Sequence, residues 1–156
     1  METVIRTAAL KDAEAIFVLI QANSDLLVPR SLADIVKNID RFIVAERETV
    51  IGCASYTIHP ELGNAEDAIV EVQSLAVLSA YRRQGIGGRL VEAIAKRTEA
   101  FKPKQLLTLT FAPEFFASLG FKEIPKTQVM HKLYTGCINC TKHKDPFTCP
   151  EKAMAR

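Results

Sequence analysis

The sequence predicts an α/β fold: one mixed β-sheet flanked by helices on both faces, followed by a cysteine-containing tail. Three observations carry this. Apolar residues switch repeatedly between short Val- and Ile-rich runs and stripes of helical period. The runs follow the order βααβββαβαββ, in which helices can cover a sheet. The chain has 156 residues, 48% hydrophobic and 24% charged, an ordinary globular composition with enough length for one core.

The elements follow in order. Met1 to Arg6 reads as a short strand through Val4 and Ile5. Lys11 to Asn23 carries Ala15, Ile16, Leu19 and Ile20 on one helical face, with Asp12 as its N-cap. Leu26 to Arg30 is a loop ended by Pro29. Ser31-Leu32-Ala33-Asp34 is a variant capping box that opens a short helix to about Ile39. Phe42 to Ala45 and Val50 to Ile58 form a hairpin across the turn Arg47-Glu48-Thr49. His59 to Asp67 is a polar loop, and Ala68 to Val77 is the next strand. Arg89 to Phe101 is a helix, Gln105 to Thr110 a strand, and Pro113 to Leu119 a short helix closed by Gly120. Phe121 to Ile124 and Val129 to Tyr134 supply the last two strands. The domain is expected to span 1–134, with 135–156 an extension packed on it.

Twenty Lys and Arg against 18 Asp and Glu give a net charge of +2, too little to argue for nucleic acid or an anionic membrane as partner. No apolar run approaches the roughly 18 residues of a membrane span, and Asp12 and Glu14 interrupt the first apolar segment before it could act as a leader. A soluble, cytoplasmic protein is expected. Its four Cys then read as thiols or metal ligands rather than disulfides.

The most informative stretch runs from Ser74 to Leu90, where a buried strand enters a turn with Arg82, Arg83 and Gln84, then Gly85, Gly87 and Gly88, then a helix. Glycines let backbone approach a ligand closely, and the first-turn amides and dipole of the helix attract an anion. Two phosphate motifs do not fit. There is no Gly-Lys-Ser/Thr, and Gly85-x-Gly87-Gly88 misses the dinucleotide fingerprint. A tight turn without a ligand is the other reading of the bare pattern.

Arg82-Arg83-Gln84-Gly85-Ile86-Gly87 resembles the Arg/Gln-x-x-Gly-x-Gly/Ala signature of the GNAT superfamily of N-acetyltransferases, and Phe115 to Phe121 is similar to its closing aromatic helix and Gly-Phe. The resemblance implies that Arg82, Arg83, Gln84, Gly85, Ile86, Gly87 and Gly88 cradle the pyrophosphate of acetyl-CoA. It also implies that the strand Leu75-Ala76-Val77 splays from its neighbour and binds the pantetheine arm. A narrower resemblance lies in Leu27-Val28-Pro29-Arg30-Ser31, Ile39 to Arg47 and Val50 to Ala54. These look like the acetyltransferase domains of the N-acetylglutamate synthase family, and Cys137-x-x-Cys140 after His131 to Tyr134 is similar to its short single-domain form. The implied acceptor is L-glutamate at its α-amine, a step of arginine synthesis. The family's long form carries an amino-acid kinase domain as well, for which this chain has no room, so arginine feedback through such a domain is not expected. The alternatives are another small amine or amino acid, or a catalytically weak acetyl-CoA-binding module. The resemblance also allows a homodimer.

A dicarboxylate acceptor needs fixed cations, and Arg offers a bidentate fork. Arg30 is the candidate in the acceptor loop, with Lys132 and Gln73 as further substrate-binding candidates. Arg30 is expected to lie across the reacting centre from the glycine turn, so acetyl-CoA binding should not depend on it. The attacking amine must lose a proton, and Glu71 is the candidate base, matching an acidic position of the family. Alternation places Glu71, Gln73 and Leu75 on one face, and the amides of Leu75 and Ala76 are candidates to polarise the acetyl oxygen. The family's usual Tyr proton donor is replaced by Phe116. Cys53 reads as a small core residue. In the tail, Cys137, Cys140, His143 and Cys149 have a spacing that suits tetrahedral zinc, or free thiols, or an oxidised pair, and no metal is assigned.

Overall fold

The computed structural model describes residues 1–61, 63–129 and 150–156. They form one seven-stranded sheet, with strands β1 (Val4–Thr7), β2 (Phe42–Glu46), β3 (Val50–His59), β4 (Ile69–Val77), β5 (Leu106–Thr110), β6 (Lys122–Ile124) and β7 (Lys152–Ala155). The spatial order is β1-β2-β3-β4-β5-β7-β6. All pairs are antiparallel except β4 with β5.

Helices cover both faces, as the alternation of the strands demands. In β2, Ile43 and Ala45 point to one core with Ile51, Val70, Val72 and the stripe Ile86, Leu90, Val91, Ile94 of α3 (Ile86–Thr98). Phe42 and Val44 point to the opposite core, with Ile16, Leu19 and Ile20 of α1 (Ala13–Ala22) and Ile35 of α2 (Leu32–Lys37). The period of two in the strands and of 3.6 in the helices thus makes a three-layer molecule.

The caps explain where the helices stop and start. Ser31 Oγ accepts from the Asp34 amide at 3.0 Å, as the capping box requires. The Asp34 carboxylate does not reach back. It pairs with Arg30 and accepts from Asn38. Asp12 also differs from expectation. Its carboxylate accepts from the Ala9 amide and both terminal nitrogens of Arg6, which tie β1 to the 3-10 turn Leu10–Asp12 before α1. Hydrogen bonds from Arg6 hold this carboxyl below the usual range. The helix α4 (Pro113–Ser118) closes with Gly120 at φ +88°, Gly120 N–H bonding Ala117 O and Phe121 N–H bonding Phe116 O. That is a Schellman ending, and it lays Phe121 against Phe116 at 5.2 Å between ring centres.

The C-terminal residues correct the expectation of a tail packed on a finished domain. Lys152–Ala155 is an inner strand, with β5 on one side and β6 on the other. Met154 is buried in the α3-side core. Val129, expected to open a strand, sits in a 3-10 helix. The rest of that expected strand, His131, Lys132, Tyr134 and the residues Cys137, Cys140, His143 and Cys149, lies outside the described residues. No described helix is long and apolar enough to cross a membrane.

Candidate active site

Two irregularities in β4 make the site. The first is on its β5 side. The parallel pairing stops after Val70–Leu106 and Glu71–Leu107, and the strands then diverge. Thr108 Oγ1 donates to Val72 O at 3.3 Å, and beyond it the backbone of Gln73 to Val77 has no ladder partner on β5. The gap opens as a cleft of about 160 Å³, lined on one lip by Gln73, Ser74 and Leu75 and on the other by Thr108 to Thr110. Phe115 and Phe116 of α4 close one end, and Leu26 and Leu27 of the α1–α2 loop close the other.

The second irregularity is on its β3 side. Cys53 pairs with Ala76 and Ser55 with Gln73, so Ser74 and Leu75 together oppose Ala54. This is a β-bulge, and Ser74 takes φ +52° to make it. The bulge reverses the alternation. Glu71 and Gln73 share a face as expected, and that face is the α1–α2 side, but Leu75 and Val77 face the α3 core. The expectation that Leu75 shares a face with Glu71 is therefore overturned by one extra residue. Side chains from β3 and the loop hold the bulge: Cys53 Sγ donates to Ser74 O at 3.5 Å, Ser55 Oγ donates to Gln73 O at 3.3 Å, and Arg30 Nη1 donates to both Ser55 Oγ and Ser74 Oγ.

The turn after β4 leads into α3, whose first turn packs by Gly87 against Phe115 of the cleft wall. Gly85 is at φ +77°, the left-handed region, and caps α3. The Arg89 amide makes the first helical bond, to Gly85 O, which leaves the amides of Ile86, Gly87 and Gly88 without intrahelical partners. The two arginines differ. Arg82 folds back to donate to Val77 O and Asn23 Oδ1, bracing the turn. Gln84 is likewise held, accepting from Arg47. Arg83, at φ +60°, is exposed and has no partner among the described residues. A Cβ at Gly87 would meet Phe115 Cζ at 3.2 Å, so this glycine also lets α3 approach the wall of the cleft.

On the α1–α2 face, Glu71 is 3% exposed. Its Oε1 accepts from Gln73 Nε2 at 2.5 Å and lies 3.1 Å from His59 Nε2. Gln73 is in turn oriented by Thr57 Oγ1, which donates to its Oε1 at 2.8 Å. Arg30 sits at the other end of this row, paired with Asp34 at 2.6 Å and lying over the Phe42 ring. It touches the bulge in the strand that was expected to hold the cofactor, a contact the sequence did not suggest. Lys132 lies outside the described residues. Burial pushes the Cys53 thiol up to about 12, so at neutral pH it is no nucleophile. Phe116 is a buried core ring on the cleft wall and carries no proton to donate.

His59, Thr57, Ser55 and Ser74 join the site without having been expected from the sequence. The first three had a signal. Ser55, Thr57 and His59 alternate along β3 and so share one face, a polar row in an otherwise apolar strand. Ser74 had none, because serine gives no warning of a left-handed backbone.

Comparison with known proteins agrees with this geometry. Residues 38–123 match the acetyltransferase (GNAT) domain family. The chain is 34% identical to an uncharacterised N-acetyltransferase of Chlorobaculum tepidum over 99% of its own length and 96% of that protein's. It is 29% identical to the amino-acid acetyltransferase of Mycobacterium tuberculosis, over 84% of this chain and 75% of that one. Its fold superposes on N-acetylglutamate synthase from Neisseria gonorrhoeae, solved with coenzyme A and N-acetyl-glutamate, with a TM-score of 0.79 and 22% identity. That match covers all of this chain but 35% of the larger one. The family match and the full-length relative agree with the splayed strands and the glycine-capped helix, and the chain belongs to the GNAT family of acetyltransferases.

Proposed function

We propose that this protein transfers the acetyl group of acetyl-CoA to the α-amine of an amino acid, with L-glutamate as the acceptor. The observation that carries the reading is the junction of two halves at one strand. The cleft runs along β4 at the bulge, lined by Gln73, Ser74 and Leu75, and the glycine-capped α3 follows the strand. Buried Glu71, held by the half-buried Gln73, precedes the bulge on the same strand.

Acetyl-CoA is the acetyl donor of the family, and the residues present fit it. An arm with amide groups suits the stretch Gln73 to Val77, which has no ladder partner on β5. A pyrophosphate suits the free amides of Ile86, Gly87 and Gly88 with Arg83 beside them. When bound, the thioester supplies an activated acetyl carbonyl. Leu75 and Ala76, beside the bulge, would present backbone N–H groups at its oxygen. Glu71 would take the proton that an α-ammonium must lose before it can attack. Arg30 supports an anionic acceptor, since it is the cation at the bulge and can share its guanidinium between Asp34 and a carboxylate. The amino-acid acetyltransferase of Mycobacterium tuberculosis supports an amino-acid acceptor, and the N-acetyl-glutamate in the Neisseria gonorrhoeae structure supports glutamate.

The test is release of CoA thiol on mixing the protein and acetyl-CoA with a panel of amino acids and small amines. Glutamate is expected to give the highest kcat/KM, and Glu71→Gln to lower kcat by about 10²-fold. Faster turnover of a neutral or cationic amine would overturn the glutamate assignment. No release with any acceptor, alongside measured acetyl-CoA binding, would leave a binding module.

A further inference from the structure

We propose that His59 is a positioning residue for this reaction, acting through Glu71. The inference rests on the assignment of Glu71 as the base.

β3 and β4 carry a polar floor on their α1–α2 face: Ser55, Thr57 and His59 from one strand, Gln73 and Glu71 from the other. Ser55 is 1%, Glu71 3% and His59 6% exposed, while Thr57 and Gln73 are half-buried, so the floor is enclosed at its His59–Glu71 end and reaches the cleft at Gln73. The fold does not need it. A buried ionisable pair contributes little net stability over well-packed apolar residues of similar volume, because desolvation offsets the attraction. The same face is filled by aliphatic side chains elsewhere, Ile69 and Leu107 among them.

The contacts have a direction. His59 Nε2 and Gln73 Nε2 converge on one oxygen of Glu71, Oε1. Facing a carboxylate, the imidazole donates from Nε2. The Gln73 amide accepts from the Thr57 hydroxyl at its oxygen, and a flip would set that oxygen against the Glu71 carboxylate, which cannot donate. Two donors on a single oxygen fix both the plane and the rotamer of the carboxyl. A base must present its accepting lone pair in one orientation, and a loosened one loses rate without losing the cofactor. His59 is the last residue of β3, and it reaches Glu71 only because the strand extends to that position.

The experiment compares His59→Leu, His59→Gln, His59→Asn, Glu71→Gln and the double variant His59→Leu with Glu71→Gln, in the full chain, by CoA release. Thermal melts establish that each variant folds. His59→Leu is expected to lower kcat about 10- to 100-fold, the size of a misplaced catalytic group. The KM for acetyl-CoA should stay within about twofold, since His59 lines no part of the cleft. His59→Gln, whose amide nitrogen reaches the position of Nε2, should recover most of the loss. His59→Asn, which is too short, should not. The double variant should be no slower than Glu71→Gln alone, because residues acting through one another are not additive.

Wild-type turnover in His59→Leu, with Glu71→Gln slow, overturns the proposal and leaves the base in place. Wild-type turnover in Glu71→Gln overturns the base itself. A double variant slower than Glu71→Gln by the full His59 factor means that His59 acts by another route, and also overturns it. If His59→Leu does not fold, equal rates for the Gln and Asn variants overturn it.

Discussion

Arg30 shows how far a single residue can depart from the role its type suggests. An arginine in an acceptor loop reads as a free fork for a carboxylate, yet here its guanidinium is already engaged by Asp34, Ser55 and Ser74. It therefore joins the acceptor loop to the cofactor strand. Arg30→Ala removes charge-assisted hydrogen bonds of about 1.5–3 kcal/mol each, so the acceptor KM should rise roughly 10- to 150-fold. The acetyl-CoA KM should rise as well, by several-fold, because Ser74 loses the contact that braces its left-handed backbone. Arg30→Lys should restore only part of either, since one ammonium cannot hold Asp34 and the two hydroxyls in the same geometry. Steady-state kinetics with each substrate varied in turn decide it. An unchanged acetyl-CoA KM would remove the bracing role, and an unchanged acceptor KM would remove the clamp. The arginine was legible in the sequence, but its partners were not, because Ser55 and Ser74 lie 25 and 44 residues away and meet it only through the sheet.

At the scale of elements, the glycine turn and the helix that follows act as one device. The pattern Arg82-Arg83-Gln84-Gly85 reads as a uniform basic cradle, but the fold divides it. Arg82 and Gln84 are tied to Val77, Asn23, Ala80 and Arg47, so their side chains hold the turn closed. Arg83 is left facing solvent at the helix entrance. The two arginines should accordingly give opposite phenotypes. Arg83→Glu should raise the acetyl-CoA KM by about tenfold or more with the melting temperature unchanged, since it reverses a charge and breaks no contact among the described residues. Arg82→Ala should instead cost about 1–3 kcal/mol of stability by leaving Asn23 Oδ1 and Val77 O unpaired. Calorimetric binding of CoA together with thermal melts separates them, and similar effects at both sites would contradict the division. Gly87→Glu is the less clean probe. Its Cβ strikes Phe115, so loss of binding there would mix cofactor repulsion with a displaced cleft wall.

For the whole molecule, the legible part of the fold was the part built from local pattern. The aliphatic runs of β2, β3 and β4 and the stripe on α3 announce themselves by period. Lys152-Ala153-Met154-Ala155 does not, because alanine and lysine are poor strand formers. It becomes a strand because β5 and β6 leave a slot between them, an effect of tertiary context on propensity. The divergence of β4 and β5 is equally silent in composition, and only the resemblance of the turn motif anticipated it. These two features are connected. β5 is one lip of the cleft, paired to β4 only at its start, and its other edge is held along its length by β7. The width of the cleft thus depends on a strand at the far end of the sequence. Met154→Ala removes a buried side chain from the α3-side core and should cost about 2–5 kcal/mol. At roughly 2–4 °C per kcal/mol for a domain of this size, the melting temperature should fall by several degrees or more. Ala153→Pro is harsher. Proline cannot donate to a ladder and is excluded from inner strands, so this variant should lose about 3 kcal/mol or more. If β7 sets the lip of the cleft, Met154→Ala should also raise the acetyl-CoA KM at temperatures where it is fully folded, and saturating CoA should restore part of its melting temperature by binding the folded state. Denaturant titration and kinetics on the same preparations test both halves. A cost below about 1 kcal/mol for each variant would mean that the segment is an appendage after all, and a large cost with an unchanged KM would mean that it supports the sheet without shaping the site.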